Sequence, residues 1–305
     1  MLVRHLIQMP RNMMSYSLDG IRERLHPLYH LRRHPLSRLL LSVIDIPVWA
    51  KLPGVGWKVR VRLIRHASMF MLSNGAEPGI IASFRAIQNQ IGIRSFWDVG
   101  ANLGYYSWIT KSIEPHAEVR MFEPEAENLT LIHETIRRAS LRDITVRAVA
   151  VSDASGQRRF MRDEVSGATG TIQTGGDTFS QRHWNVIGAA RTVDTVSLDE
   201  ERAHSSVVDL IKIDVEGHEE AVIRGAQDTI RDDQPILIFE CFHGGGDIVD
   251  FLGSLGYWIG NAERLDDESK NAGNFLALPA RHLSKLNSLK NFWAEQMSRT
   301  GFKDE

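Results

Sequence analysis

From residue 95 onward, short apolar runs alternate with longer segments whose apolar residues recur at helical spacing. SFWDV (95–99) reads as a strand followed by a helix from Leu103. Strand VRMFE (119–123) comes next, then helix EAENLTLIHETIRRA, in which Leu129, Ile132 and Ile136 share one face. Strand ITVRAVAV, strand DLIKIDV (209–215) and helix EEAVIRGAQDTI follow, the last with Val222, Ala226 and Ile230 aligned. Strand PILIFECF (235–242), a helix after Asp247, and strands YWIG and NFLALP complete the series. Apolar strands separated by helices predict a doubly wound α/β domain, its parallel sheet covered on both faces. Before residue 90 the pattern changes. There His, Pro and Arg punctuate short helical patches such as LSRLLLSVI, so residues 1–90 read as an N-terminal helical extension and 91–305 as the main domain.

Charge separates the same two parts. Residues 1–66 hold 12 Lys/Arg against 3 acids, which leaves 24 against 35, a net of −11, for the rest of a chain whose overall charge is −2. An acidic main domain disfavours nucleic acid, whose phosphates need clustered Lys/Arg. The basic extension, with Trp49 and Trp57, leaves peripheral contact with an anionic membrane open, although solvated arginines are the commoner outcome. A membrane span is not expected, because LLLSVIDIPVWA (39–50) contains Asp45 and Pro47 and falls short of the roughly 20 residues required. The single cysteine, Cys241, excludes an internal disulfide and a Cys-based zinc cluster, in keeping with the cytoplasm.

Ligands of doubly wound sheets sit at the carboxyl ends of the strands. FWDVGANLGYYS (96–107) puts Gly100 and Gly104 in the first strand-to-helix turn, where backbone N–H groups can meet an anionic group such as a carboxylate. No Gly-Lys-Ser/Thr is present, so a Walker loop is excluded. Ala101, Asn102 and Leu103 break the GxGxxG dinucleotide pattern. Asp98 repels phosphate and suits a cationic or hydroxyl-bearing ligand. Glu123 ends the second strand in FEPE, where an acid can accept hydrogen bonds from both ribose hydroxyls; alone, it could equally cap the helix opening at Pro124. A ribose grip without a phosphate grip points to S-adenosylmethionine, which joins ribose and adenine to a zwitterionic methionine tail.

DVGANLGYYS, FEPEAEN, AVAVSDASG, TVSLDE and DLIKIDVEGHEEAVIRGA together resemble the FkbM family of S-adenosylmethionine-dependent methyltransferases, mostly O-methyltransferases, from about Phe96 to Phe242. The resemblance implies a seven-stranded class I methyltransferase sheet, Rossmann-like, with its last strand antiparallel, consistent with the terminal pair YWIG and NFLALP. It also implies that Asp98, Gly100, Asn102 and Gly104 surround the methionine portion, that Glu123 binds ribose, and that Ala150, Val151 and Ser152 lie near adenine. Residues 1–90 are outside it.

Methyl transfer to an alcohol needs the acceptor oxygen aligned and its proton removed. IKIDVEGHEE gathers Lys212, Asp214, Glu216, His218 and Glu219 at one strand end. Asp214, His218 and Glu240 are the candidate bases, His218 titrating nearest neutral pH. Asp214 could instead hold the methionine ammonium. Asp214, Glu216 and Glu240 could form an oxygen-rich Mg²⁺ site, but no spacing demands it and no metal is expected. Residues 162–192, rich in Gly, Thr and Ser, read as a lid or binding loop, with Arg182, His183 and Trp184 suited to a sugar ring; His243 is a further substrate candidate or an exposed loop histidine. Leu283, Leu286, Leu289 and Trp293 form a helical stripe for core or homodimer packing. The reading is an O-methyltransferase acting on a hydroxyl of a sugar in a glycan or glycolipid. Its rivals are a methyltransferase of polyketide-like small molecules and a non-catalytic S-adenosylmethionine-binding module.

Overall fold

The computed structural model describes residues 43–71, 77–162, 170–172, 190–241, 246–267 and 273–299. An antiparallel hairpin, β1 (Pro47–Lys51) and β2 (Lys58–Arg62), is followed by α1 (Ala67–Met71) and α2 (Pro78–Gln90). β3 (Ser95–Val99), α3 (Tyr105–Ile113), β4 (Glu118–Phe122), α4 (Ala126–Ala139) and β5 (Ile144–Arg147) begin the expected alternation. The chain leaves it for β6 (Ala150–Val151), β7 (Gly156–Arg162), β8 (Gly170–Ile172) and β9 (Ala190–Val196). It resumes with α5 (Leu198–Arg202), β10 (Leu210–Ile213), α6 (Glu219–Arg224), α7 (Gln227–Asp233), β11 (Ile236–Glu240), α8 (Gly246–Ser254), β12 (Trp258–Asn261), β13 (Asn274–Leu278) and α9 (Leu286–Arg299).

The central sheet has seven strands in the order β12-β13-β11-β10-β3-β4-β5. Only β13 opposes its neighbours, pairing antiparallel with both β11 and β12, as the terminal strand was expected to do. Strand alternation feeds two cores. Phe96, Leu210, Ile236 and Ile238 pack with Ile87 of α2, Ile109 of α3 and Leu289 of α9, while Trp97, Ile211, Leu237 and Phe239 pack with Val222 of α6, Ile230 of α7 and Leu252 of α8. Both faces are therefore covered, which is why these strands read as continuous apolar runs. The order reverses between β3 and β10, and the crevice at that switch point is where ligands of such sheets bind.

Several boundaries differ from the sequence reading. ITVRAVAV is two strands: β5 closes the central sheet, whereas β6 joins a second sheet of order β6-β9-β7-β8, with Ala150 opposite Thr195. Part of the expected lid thus belongs to a sheet, in β8; residues 163–169 and 173–189, with Arg182, His183 and Trp184, lie outside the described residues. EEAVIRGAQDTI breaks into α6 and α7 at Gly225, where a Cβ would stand 2.2 Å from the carbonyl oxygen of Ser152. A continuous helix with a side chain there would collide with that backbone. On α4 the buried face is Asn128, Leu131, Ile132 and Thr135, and Leu129 and Ile136 lie at its margin.

The expected helical extension departs most. Residues 47–62 form a hairpin, and Val59 and Val61 share a core with Phe96 and Ile109, so the packing is continuous across residue 90. β2 rests on α4, with the Arg60 amide donating to Thr135 Oγ1 at 3.0 Å and the Arg60 guanidinium 2.7 Å from Glu134. Residues 1–42 lie outside the description. At the other end Leu289 and Trp293 are core residues, Trp293 Nε1 donating to the Gly79 carbonyl at 3.0 Å, while Leu283 is exposed. Among the described residues no helix is long and apolar enough to cross a membrane.

Gly225→Ala is expected to destabilise the protein by about 1–3 kcal/mol, the cost of forcing a methyl into packed backbone, read as a lower urea midpoint in equilibrium unfolding.

Candidate functional site

The turn after β3 is shaped by three left-handed residues, Gly100 at φ +79°, Asn102 at +53° and Gly104 at +86°. Both glycines are required by space as well as by conformation. A Cβ on Gly100 would lie 1.9 Å from the carbonyl oxygen of Asp214, and one on Gly104 would lie 2.5 Å from Met121 Cε. The Gly100 and Ala101 amides donate to the Phe122 carbonyl at 3.1 and 3.0 Å, tying the turn to the end of β4. Gly104 provides no side-chain cap for α3, so the opening turn keeps donors suited to a carboxylate.

Asp98 does not face outward. It is 2% exposed, and its Oδ2 accepts from Ser107 Oγ at 2.6 Å and the Ser107 amide at 3.2 Å, fastening α3 to β3. Burial pushes its carboxyl above the ordinary aspartate value, against the Ser107 hydrogen bond and the Lys212 ammonium. Glu123 is also buried; Oε2 accepts from the Asn102 amide at 2.7 Å and Oε1 from the Glu125 amide at 2.8 Å. Burial drives Glu123 up to about 8 despite these bonds.

The second turn, after β10, begins beneath the surface. Lys212 is 2% exposed, lies in register with Asp98, reaches Asp214 Oδ2 at 2.7 Å, and has its ammonium 4.5 Å from the centre of the Tyr106 ring. Burial disfavours the ammonium, but the carboxylates of Asp214, Glu77 and Asp98 outweigh burial and hold Lys212 above the ordinary lysine value. Tyr106 in turn donates to Glu77, immediately before α2. Sequence reasoning missed Tyr106 and Glu77. The adjacent Tyr105-Tyr106 pair was the available signal, but only the fold brings Glu77 to it.

Beyond Lys212 the backbone turns sharply, with Glu216 at φ +55° and Gly217 at +100°. Glu219 closes the turn by accepting from the Val215 amide at 3.2 Å and the Gly217 amide at 3.1 Å, and burial raises it to about 7. Asp214, Glu216 and Glu240 are brought together: one carboxylate oxygen from each lies within 4.8 Å of the others, all three half-buried. Such a group can face the hydroxyls of an acceptor and has the oxygen donors that Mg²⁺ or Ca²⁺ takes.

His218 stands apart from these carboxylates. It is 3% exposed, and its Nε2 is 2.9 Å from Ser152 Oγ, which also donates to Asp153 Oδ1 at 3.0 Å. Burial, then the nearby Arg158 and Arg224, outweigh Asp153 and push the imidazole down to about 4. The expectation that His218 titrates nearest neutral pH is overturned by that desolvation: it is a neutral, enclosed ring joining α6 to the segment after β6. Its Nδ1 has no hydrogen-bond partner among the described residues. Ala150 and Val151 lie buried in β6 and Ser152 directly after it. Phe242 and His243 are outside the described residues.

With this geometry in view, comparison with known proteins is informative. The methyltransferase FkbM domain profile matches residues 98–259, just over half of the chain. The chain is similar to the hexuronic acid methyltransferase AglP of Haloferax volcanii, 29% identical over 137 residues, 44% of this chain and 51% of that protein. The chain thus spans about half the length of the curated relative it matches. Among solved structures it is similar to methyltransferase FkbM from Methylobacillus flagellatus KT, with 18% identity, a TM-score of 0.42, and coverage of 61% of this chain and 43% of that one. It is also similar to an O-methyltransferase from Bacillus cereus in complex with SAH, with 15% identity, a TM-score of 0.35, and coverage of 64% and 78%.

The His218 environment predicts a pH effect. The unfolded chain takes up a proton near pH 6.5, while the folded ring resists it until about 4, so this contribution is present above 6.5 and lost as pH falls through that window. His218→Gln should flatten the decline of the urea midpoint between these two pH values, and an unchanged slope would contradict the assignment.

Proposed function

Because the chain belongs to the FkbM methyltransferase family, whose domain it matches over residues 98–259, we propose that it is an S-adenosylmethionine-dependent O-methyltransferase acting on a sugar hydroxyl. One observation supports the reading: the glycine turn and the carboxylate turn touch, Gly100 against the Asp214 backbone carbonyl, so a loop suited to a cofactor and a carboxylate suited to take a proton stand at one strand-end crevice.

The residues fit the cofactor. The turn after β3 carries no cation for a phosphate, Gly104 leaves the first two amides of α3 without a side-chain cap, and a buried carboxylate follows β4. Gly100, Asn102 and Gly104 would border the methionine portion, its carboxylate at the start of α3. Glu123 would receive the ribose hydroxyls, and Ala150, Val151 and Ser152 would flank adenine. Asp98 serves the same site indirectly by locking α3 through Ser107. S-adenosylmethionine supplies a methyl group already activated on its sulfonium.

What remains for the protein is to align a hydroxyl and take its proton. Asp214, oriented by the buried Lys212, is the general base in this reading, and Glu216 and Glu240 hold the hydroxyls beside the reacting one. His218, which faces Ser152, positions the two turns. The similar Haloferax volcanii protein, a hexuronic acid methyltransferase, supports a sugar acceptor.

The test is an acceptor screen with methyl-labelled cofactor over hexuronates, neutral sugars and polyketide-like alcohols. Label on a sugar oxygen is the expected result. Label only on the polyketide-like compounds would favour the small-molecule alternative, and cofactor binding by calorimetry without transfer to any acceptor would make the chain a binding module. Chelation by EDTA should leave turnover unchanged; a loss would reassign the three carboxylates to metal ligation. Asp214→Asn should lower kcat by about 10²- to 10⁴-fold with cofactor affinity retained, and Gly100→Ala should abolish cofactor binding.

A further inference from the structure

A cavity of about 480 Å³ opens between the β1–β2 turn and helices α1, α2 and α3, away from the strand-end crevice. Leu52, Val55 and Phe70 form its apolar wall, and Lys51, Arg85 and Ser112 its polar side. No carboxylate lines it among the described residues. Among the described residues the other half-buried arginines each meet an acid, as Arg60 meets Glu134, Arg65 Glu127, Arg120 Glu201 and Arg162 Glu125, all between 2.7 and 2.9 Å. Arg85 is half-buried and makes no hydrogen bond or ion pair among the described residues, and Lys51 has only a long 3.4 Å contact with the Gly56 carbonyl.

The walls are firmly built. Tyr105 donates to the Pro53 carbonyl at 2.9 Å, and Ser112 Oγ accepts from the Gly56 amide at 3.0 Å while donating to the Trp108 carbonyl at 2.7 Å. Gly54, at φ +79°, packs on Ile81 and Ile109. The turn is therefore fixed along α3, and the cations project from a set frame. Two positive charges in a concave site with no counter-charge among its described lining residues concentrate anions there, and the volume falls within the roughly 300–1,000 Å³ of small-molecule sites.

We propose that this cavity is a binding site for a phosphate monoester, the phosphate between Arg85 and Lys51 and the group it esterifies against Leu52, Val55 and Phe70. Two cations call for a dianion, which a phosphate monoester approaches near pH 7, its second pKa being about 6, and which a carboxylate does not. The ester is either a soluble sugar phosphate or a lipid headgroup. The site stands independently of the methyl-transfer reading.

The experiment titrates the full chain calorimetrically with inorganic phosphate and with a hexose 1-phosphate, and sediments it with phosphatidylcholine vesicles with or without phosphatidate. Binding to the hexose phosphate, or to phosphatidate vesicles over phosphatidylcholine alone, is expected, the first naming a soluble ester and the second a lipid headgroup. The Lys51→Gln/Arg85→Gln double variant should weaken that binding about tenfold or more, and Arg85→Lys should retain part of it. Affinity for S-adenosylmethionine should not change in either variant, which separates this site from the crevice and reports on folding. Binding that the double variant leaves untouched, or no binding to any of the phosphate probes, overturns the proposal.

Discussion

The site depends on the absence of a side chain at residue 100, where a Cβ would stand 1.9 Å from the carbonyl oxygen of Asp214. Only glycine lets the turn after β3 lie against the end of β10, and only that approach joins a backbone suited to a cofactor with carboxylates suited to an acceptor. β3 and β10 are neighbours because the strand order reverses between them. The reversal opens the crevice, and the missing methyl group keeps its two walls in contact.

Charge beneath the crevice is organised around Lys212. A buried ammonium is costly unless compensated, and here Asp214, Asp98 and Glu77 compensate it while the Tyr106 ring covers it. The consequence is directional: Lys212 approaches Asp214 from below the sheet end, so the carboxylate is aimed and Lys212 itself is withheld from solvent. His218 and Ser152 make a second, uncharged tie between the turn after β10 and the segment after β6.

The periphery is drawn onto this centre by salt bridges that share one acid. Glu127, in the first turn of α4, meets Arg65 and Arg162 at 2.9 Å and Arg62 at 3.5 Å, joining the hairpin and the second sheet to the central domain. Single exposed ion pairs contribute little, but a shared acid fixes the relative placement of three elements. Beneath it, Val59 and Val61 bury their side chains with the central core, so the hairpin is integral packing.

Periodicity by itself determined the central strands, because their apolar alternation is local and both faces of the sheet are buried: SFWDV matches β3 residue for residue, and LIKI is all buried. The glycine turn and the acid following β4 stand at the strand ends where local pattern puts them, Gly100 and Gly104 at positive φ and Glu123 buried. Other features depend on partners distant in sequence. Nothing near Gly225 foretells the Ser152 carbonyl, nothing near Ala150 foretells Thr195, and His218 reads as a neutral-pH base until its enclosure against Ser152 is seen. Local spacing thus decided where most central strands lie, but not the hairpin at residues 47–62, which reads as helical. Tertiary structure decided protonation and orientation, because desolvation and charge pairing are set by what long-range packing brings to a side chain.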